Sequence, residues 1–267
     1  MLSKRLQTIA AQIQKGQTMA DIGTDHGFLP LFLWKTDICP KVIMTDVSEP
    51  SLNKAEEAFR AYLHMSCIND EIFDNDNKDV HFRLGNGLEV LAKNEVDVVV
   101  IAGMGGVLMT QILGADVTKT QSFDKYILQP RNGSGKLRFW LDKMDFEIES
   151  ESLAEEGKFI CEILIVRPPI KLKINNDGST LDINVKVDKL NTQIQQSLLA
   201  DYPDDIKYEI PRNLQNGCEN IFNLFINNKL NIEKNILTAM VRGKITDKEK
   251  ISRTKERIVF LEKTLRL

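Results

Sequence analysis

The chain is predicted to be an α/β protein: a doubly wound, mostly parallel sheet between helices, closed by an antiparallel hairpin and followed by a small α-helical domain. Three observations predict this. Strand-like and helix-like stretches alternate through residues 1–168. Runs such as "VDVVVIA" (96–102) are apolar on both faces of a strand, as in a sheet covered by helices on both sides. After "RPP" (167–169) the apolar period changes to three-to-four spacing, so a boundary is expected between residues 1–168 and 169–267.

"TMADI" (18–22) reads as the first strand and "FLPLFLWK" (28–35) as a short helix. "KVIMTD" (41–46) is a buried strand ending in an acid, and a helix over 48–65 follows with Ser48 as its N-cap. "DEIFDNDNKD" (70–79) is a polar, acidic loop. Residues 80–84, 96–102 and 125–129 complete the parallel strands, with helices over 105–113 and 135–144. Residues 145–168 form two strands around the turn Glu155-Glu156-Gly157-Lys158. An antiparallel end of this kind is typical of class I methyltransferases, whereas nicotinamide-binding Rossmann folds end in a parallel sixth strand. Beyond Pro168 and Pro169 come a linker, a helical stripe from Ile183 to Leu198, a loop with Pro203 and Pro211, and two further helices marked by Ile221 to Met240 and Ile251 to Leu265. Their single apolar stripes predict a bundle or coiled-coil-like hairpin that closes within the chain or between chains.

Composition narrows the function classes. A chain of 267 residues, 42% hydrophobic and 27% charged, has a core that needs no disulfide or metal. No apolar run reaches the roughly 20 residues of a membrane span, and the amphipathic "MLSKRLQTIAAQIQKG" is not a signal peptide. Cys39, Cys67, Cys161 and Cys218 form no CxxC pair, which fits a reducing, cytoplasmic setting. The net charge of −3 divides unevenly. Residues 1–167 hold 18 Lys+Arg against 25 Asp+Glu, and residues 168–267 hold 17 against 13. A basic tail on an acidic domain suggests an anionic partner, or simply a solvated helical face.

In a doubly wound sheet ligands bind beyond the carboxyl ends of the strands. Four motifs fall there. "DIGTDHG" (21–27) has Gly23 to let the backbone turn, but it is not GxGxxG. Asp21 and Asp25 would repel a pyrophosphate and attract an ammonium or sulfonium, the polarity of S-adenosylmethionine. Asp46 and Val47 end the second strand, where a carboxylate accepts ribose hydroxyls. In "RLGNGLEVL", Asn86 and Gly87 suit an adenine edge, or a simple turn. In "IAGMGG", Gly103, Met104 and Gly105 leave room for a flat ligand, though Met104 fits a core equally well. "LQPRN" adds Gln129, Arg131 and Asn132 near the same cleft. His64 and His81 have no ligating neighbours at metal spacing, so no metal is expected.

"ADIGTDHGFLP", "GNGL", "IAGMGG" and "LQPRN", in this order before a basic helical tail, resemble the bacterial tRNA (adenine-22-N1)-methyltransferases. The motifs cover residues 1–168, and the tail corresponds by architecture only. The chain departs from the family at Thr24 and Gly27, where serine and alanine are common, and at Arg131, which interrupts "LQPN". The resemblance implies a class I methyltransferase fold, S-adenosyl-L-methionine as cofactor, and tRNA rather than DNA or membrane as partner. It implies transfer of methyl to N1 of an adenine, whose free lone pair needs no strong base. Asp25 is then the candidate to stabilise the cationic product, with His26 hydrogen-bonding the substrate or orienting Asp25, and Gln129 and Asn132 beside it. Asp25 as a helix cap and His26 as a packed histidine are the alternatives. Arg242, Lys244, Lys248, Lys250, Arg253, Lys255 and Arg257, with Arg131, would track RNA phosphates. The rival functions are a small-molecule methyltransferase, a non-catalytic RNA-binding module, and a nicotinamide-dependent oxidoreductase, the last lacking its glycine motif.

Overall fold

A computed structural model describes residues 2–68, 79–169, 199–243 and 247–265. The predicted helix over 183–198 and most of the acidic loop at 70–79 lie outside the described residues. A seven-stranded sheet has the order β3-β2-β1-β4-β5-β7-β6. Its strands are β1 (Met19–Ile22), β2 (Lys41–Asp46), β3 (Asp79–Leu84), β4 (Val98–Gly105), β5 (Lys125–Asn132), β6 (Glu147–Glu156) and β7 (Phe159–Arg167). The first five are parallel, and β7 runs antiparallel to both β5 and β6.

Side-chain alternation divides the sheet between two cores. Met19, Val42, Met44, Val98, Val100 and Ile127 face α2 (Phe28–Lys35), α3 (Glu49–Ile68) and the N-terminal α1 (Lys4–Ala10). Ala20, Ile43, Val99, Ile101, Tyr126 and Leu128 face α4 (Gly106–Ala115) and α6 (Ser134–Lys143), with the short α5 (Val117–Thr120) beside them. Successive residues point to opposite faces, so an unbroken apolar strand fills both layers. Ser48 Oγ accepts from the Ser51 amide at 3.4 Å, as an N-cap does.

Two strands run further than the sequence suggests. β4 continues through "GMG" and β5 through "PRN", because Gly105 pairs with Asn132 after register shifts at Ala102/Met104 and Met104/Gly105. The following turns meet backbone to backbone: a Cβ on Gly106 would collide with the Gly133 carbonyl. The hairpin turn is also tighter than expected, since Glu156 already pairs with Phe159.

The C-terminal helices α7 (Glu219–Arg242) and α8 (Lys248–Thr264) pack through Phe225, Ile226, Leu230 and Leu261 against Leu153 of β6 and a 3-10 turn at Ile206–Glu209. A buried charge cluster reinforces the junction. Arg138 donates to Glu151, Glu162 and the Tyr208 carbonyl, while Glu151 also accepts from the Arg212 and Asn213 amides. Among the described residues no helix is long and apolar enough to cross a membrane.

Candidate active site

The strand order reverses between β1 and β4, so their carboxyl ends part and leave a crevice. Gly23 turns the chain out of β1 at φ +73°, and the methyl end of Met104 fills the space where a Cβ would stand. The Gly23 and Thr24 amides donate to the Thr45 carbonyl at 2.8 and 2.9 Å, tying this loop to the end of β2. Thr24 Oγ1 donates to Asp21 Oδ2 at 2.8 Å. Burial pushes the Asp21 carboxyl up to about 6; the Thr24 bond and the Arg5 cation work against that, and the Asp46 charge adds to it.

Asp46 is held by two amides. Its Oδ1 accepts from Ser48 at 2.8 Å and its Oδ2 from Asp25 at 3.4 Å. The Asp25 backbone sits at φ +51°, which directs its exposed carboxylate to His26 Nδ1, 2.9 Å away. The His26 ring stacks on Phe28 with centroids 5.3 Å apart and planes 12° apart. Asp25 does not cap α2. That helix starts on Gly27 at φ +65° with no side-chain cap, and the carboxylate is turned toward His26 instead.

At the ends of β4 and β5 the amide of Gln129, 2% exposed, is bonded at both its oxygen and its nitrogen. Its Oε1 accepts from Arg5 Nη1 at 3.0 Å and from the Gly103 amide at 3.1 Å, and its Nε2 donates to the Pro130 carbonyl at 2.9 Å. Gln129 therefore shapes the floor of the site rather than facing into it. Asn132 is exposed and packs its Oδ1 toward Gly105. Arg131 is exposed at the rim and makes no hydrogen bond or ion pair among the described residues.

These pieces surround a cleft of about 1250 Å³. Of the sequence candidates it gathers Asp21, Gly23, Asp25, His26, Asp46, Val47, Asn86, Gly87, Gly103, Met104 and Arg131, while Gly105, Gln129 and Asn132 stand behind or beside it. Sequence reasoning missed one wall, which α1 and the hairpin supply through Leu2, Arg5, Leu6 and Glu156, together with Phe28 and Phe32 of α2. The only sequence signal was an amphipathic N-terminal helix carrying a basic pair.

The basic tail divides into two kinds of residue. Arg242, Lys248 and Lys255 are exposed, Lys250 lies 3.7 Å from Asp247, and Arg253 pairs with Glu249 at 3.1 Å and Asp204 at 3.6 Å. Arg257 does not belong to the expected outward stripe. Its side chain is 13% exposed and is clamped by Glu233, Glu209 and Asp204 at 2.8, 3.0 and 3.5 Å, because this position of α8 faces α7 and the segment around the 3-10 turn. Lys244 lies outside the described residues.

Comparison with known proteins places this geometry among relatives. Residues 2–164 match the family described as a methyltransferase domain. A tRNA (adenine(22)-N(1))-methyltransferase of Bacillus subtilis is 34% identical over 165 residues, which is 61% of this chain and 64% of that protein; the match thus spans somewhat less than two thirds of the relative's length. The crystal structure of the Bacillus subtilis m1A22 tRNA methyltransferase is 26% identical, covers 99% of both chains and superposes with a TM-score of 0.67. A Streptococcus pneumoniae structure, described as a candidate tRNA (m1A22) methyltransferase, is 25% identical over 99% of this chain and 100% of its own, with a TM-score of 0.68. That protein has also been solved in complex with S-adenosyl-L-methionine.

Proposed function

The chain belongs to the methyltransferase-domain family, and from that premise we propose that it uses S-adenosyl-L-methionine to methylate N1 of an adenine in tRNA, at position 22 of the D-arm. The observation that carries the proposal is the cleft where Asp21, Asp46 and the Gly103–Met104 backbone converge beside the exposed Asp25–His26 pair.

The residues present fit the cofactor. Asp46, with its lone pairs oriented by two amides, suits a pair of ribose hydroxyls, and Asn86 suits an adenine edge. A side chain at position 23 would fill the cradle between β1 and Met104. Two carboxylates, Asp21 and Asp25, favour a cation and disfavour a phosphate. When bound, S-adenosylmethionine would supply an electrophilic methyl group: the N1 lone pair of adenine would attack the methyl carbon and the thioether would leave with the C–S electron pair as S-adenosylhomocysteine, giving a cationic base.

This chain's own part is positioning and electrostatics. The Asp25 carboxylate stabilises the positive charge that develops on the base, and His26 holds that carboxylate at the mouth of the cleft. Gln129 and Asn132 keep the two strand ends in place. Because N1 is covered by pairing or stacking in folded RNA, the adenine enters turned out of its stack. We assign cofactor binding to residues 1–168 and tRNA contact to residues 169–267, with Arg131, Arg242, Lys244, Lys248, Lys250, Arg253 and Lys255 meeting phosphates. The setting is the cytoplasm, where tRNA is modified.

Incubation with labelled S-adenosylmethionine and unmodified bacterial tRNA, followed by mass spectrometry of the digested RNA, tests the proposal. A methyl on adenine N1 in the D-arm supports it. Cofactor binding without transfer to any tRNA overturns the substrate.

A further inference from the structure

Exposed apolar side chains are unevenly distributed over the sheet domain. Among the described residues between 2 and 169, the exposed large hydrophobics are Phe28, Val47, Leu84, Leu108 and Phe159, and all five lie at the end of the sheet where the cleft opens. A single exposed apolar residue means little, but a set gathered round one opening marks a surface that a partner covers. Phe28, Val47 and Leu108 line the cleft itself. Phe159 stands outside it, 64% exposed, and belongs to none of the three apolar cores. A cofactor in the cleft does not account for that ring.

The hairpin turn fixes where Phe159 sits. Gly157 and Lys158 make a two-residue turn, with Gly157 at φ +60° in the first central position, where such a hairpin favours glycine. Glu156 and Phe159 are the last facing pair of β6 and β7, so they project from the same face of the sheet. Glu156 lines the cleft beside Arg5, and Phe159 continues that wall outward. Cys161, two residues along β7 and on the same face, lies within electrostatic reach of Arg131. A strip therefore runs from Arg131 at the rim to the hairpin tip. Its carboxylates are already matched: Lys4 lies 3.0 Å from Glu155 and Arg5 lies 3.5 Å from Glu156. Lys158 and Arg131 make no ion pair among the described residues, and Lys158 Nζ lies 5.4 Å from the centre of the Phe159 ring. An exposed ring between two unmatched cations suits nucleic acid, whose bases stack while its phosphates meet the charges. An apolar protein surface would cover the ring and leave both cations without a partner.

We propose that Phe159 is a stacking platform for a tRNA base beside the target adenine, with Lys158 and Arg131 contacting the phosphates on either side. The assignment rests on the tRNA reading above and extends it, since the hairpin tip of the methyltransferase domain then holds the RNA together with the basic helices. Turning the adenine out of its stack leaves the neighbouring base with one bare face. The Phe159 ring replaces the lost stacking partner. The ion pairs from Lys4 and Arg5 tie α1 to the hairpin, so the ring is presented from a fixed position.

Equilibrium binding of unmodified tRNA to the full chain and its variants tests this. Phe159→Ala is expected to weaken tRNA by about tenfold, the scale of one lost base–aromatic stack. Its calorimetric affinity for S-adenosylhomocysteine should stay within about twofold of the wild type, because the ring lies outside the cleft. Phe159→Trp should bind tRNA at least as well as the wild type, and Phe159→Leu, apolar but without a π face, should behave like Phe159→Ala. Across a salt series Phe159→Ala should keep the wild-type slope, whereas Arg131→Gln with Lys158→Gln should reduce it by about one to two. Undiminished tRNA binding by Phe159→Ala, recovery by Phe159→Leu as full as by Phe159→Trp, or an equal loss of S-adenosylhomocysteine overturns the proposal. Undiminished tRNA binding with an altered oligomeric state in sedimentation overturns it in favour of a second copy of the chain. If the wild type binds S-adenosylhomocysteine but no tRNA, the substrate reading itself fails, a result distinct from failure of the Phe159 assignment.

Discussion

Glu151 offers a sharp test of how the helical region is held to the sheet. Its Oε1 receives two bonds from Arg138, at 2.8 and 2.6 Å, and its Oε2 receives the Arg212 and Asn213 amides at 2.6 and 3.3 Å. Only donors face it, and its side chain is 2% exposed. Glu151→Gln is nearly isosteric but replaces one oxygen with an NH2. Whichever way the amide is turned, that NH2 meets two donors. Losing two charge-assisted bonds and leaving buried donors unpaired costs about 3–5 kcal/mol. Glu162→Gln, beside it, is the control. Its side chain is 12% exposed, and its oxygens receive Arg138 at 2.7 Å and the Ser134 hydroxyl at 2.9 Å. There the amide oxygen can serve Arg138, and the NH2 can donate to the hydroxyl, which is also an acceptor, so the cost is only about 1 kcal/mol. Urea unfolding of both variants and the wild type, followed by circular dichroism, measures the difference. Equal losses, or a larger loss for Glu162→Gln, would refute the argument that donor geometry at Glu151 carries the junction.

Asp21 gives a pH-dependent prediction. Its folded value of about 6 lies above the ordinary aspartate range, so its cost to stability is fully present above pH 6 and is relieved as pH falls toward 4. Asp21→Asn should therefore stabilise the fold at pH 8 by up to roughly 3 kcal/mol, with no gain at pH 4, while weakening cofactor binding; denaturation curves across that range check the sign. Gly23→Ala meets both the left-handed φ and the Met104 methyl group, and should cost about 1–3 kcal/mol and abolish cofactor binding. Adding Met104→Ala should recover the steric part of that loss in thermal melts but not the backbone part. In the tail, Lys248→Glu with Lys255→Glu should lower tRNA affinity several-fold in filter binding without changing melting temperature, because both are exposed. Arg257→Gln should do the reverse, lowering stability by about 2–4 kcal/mol through Glu233 and Glu209.

The parallel strands, their helices, the closing hairpin and the last two helices were legible in the chain, because each writes a local period in apolar residues: unbroken for β4, three-to-four for α7 and α8. The strand-end positions of Asp21, Asp46 and Gly103 followed from the same alternation, since a ligand crevice in this fold lies where strands end. Chain-local patterns hold no information about which distant residues meet. Arg5 reached the cleft only because α1 packs on the hairpin, 124 residues away from its partner Gln129. Gln129 left the candidate surface because β5 runs on to pair with β4, turning its amide inward to Gly103. Arg257, one of seven candidate phosphate contacts in the tail by sequence, became a clamp through the packing of α8. That helix lies between α7, which brings Glu233, and the segment around the 3-10 turn, which brings Asp204 and Glu209. Composition and periodicity thus determined the elements and the end of the sheet where the site lies. Tertiary packing decided which charges are buried and paired, because that depends on contacts between segments rather than on any one of them.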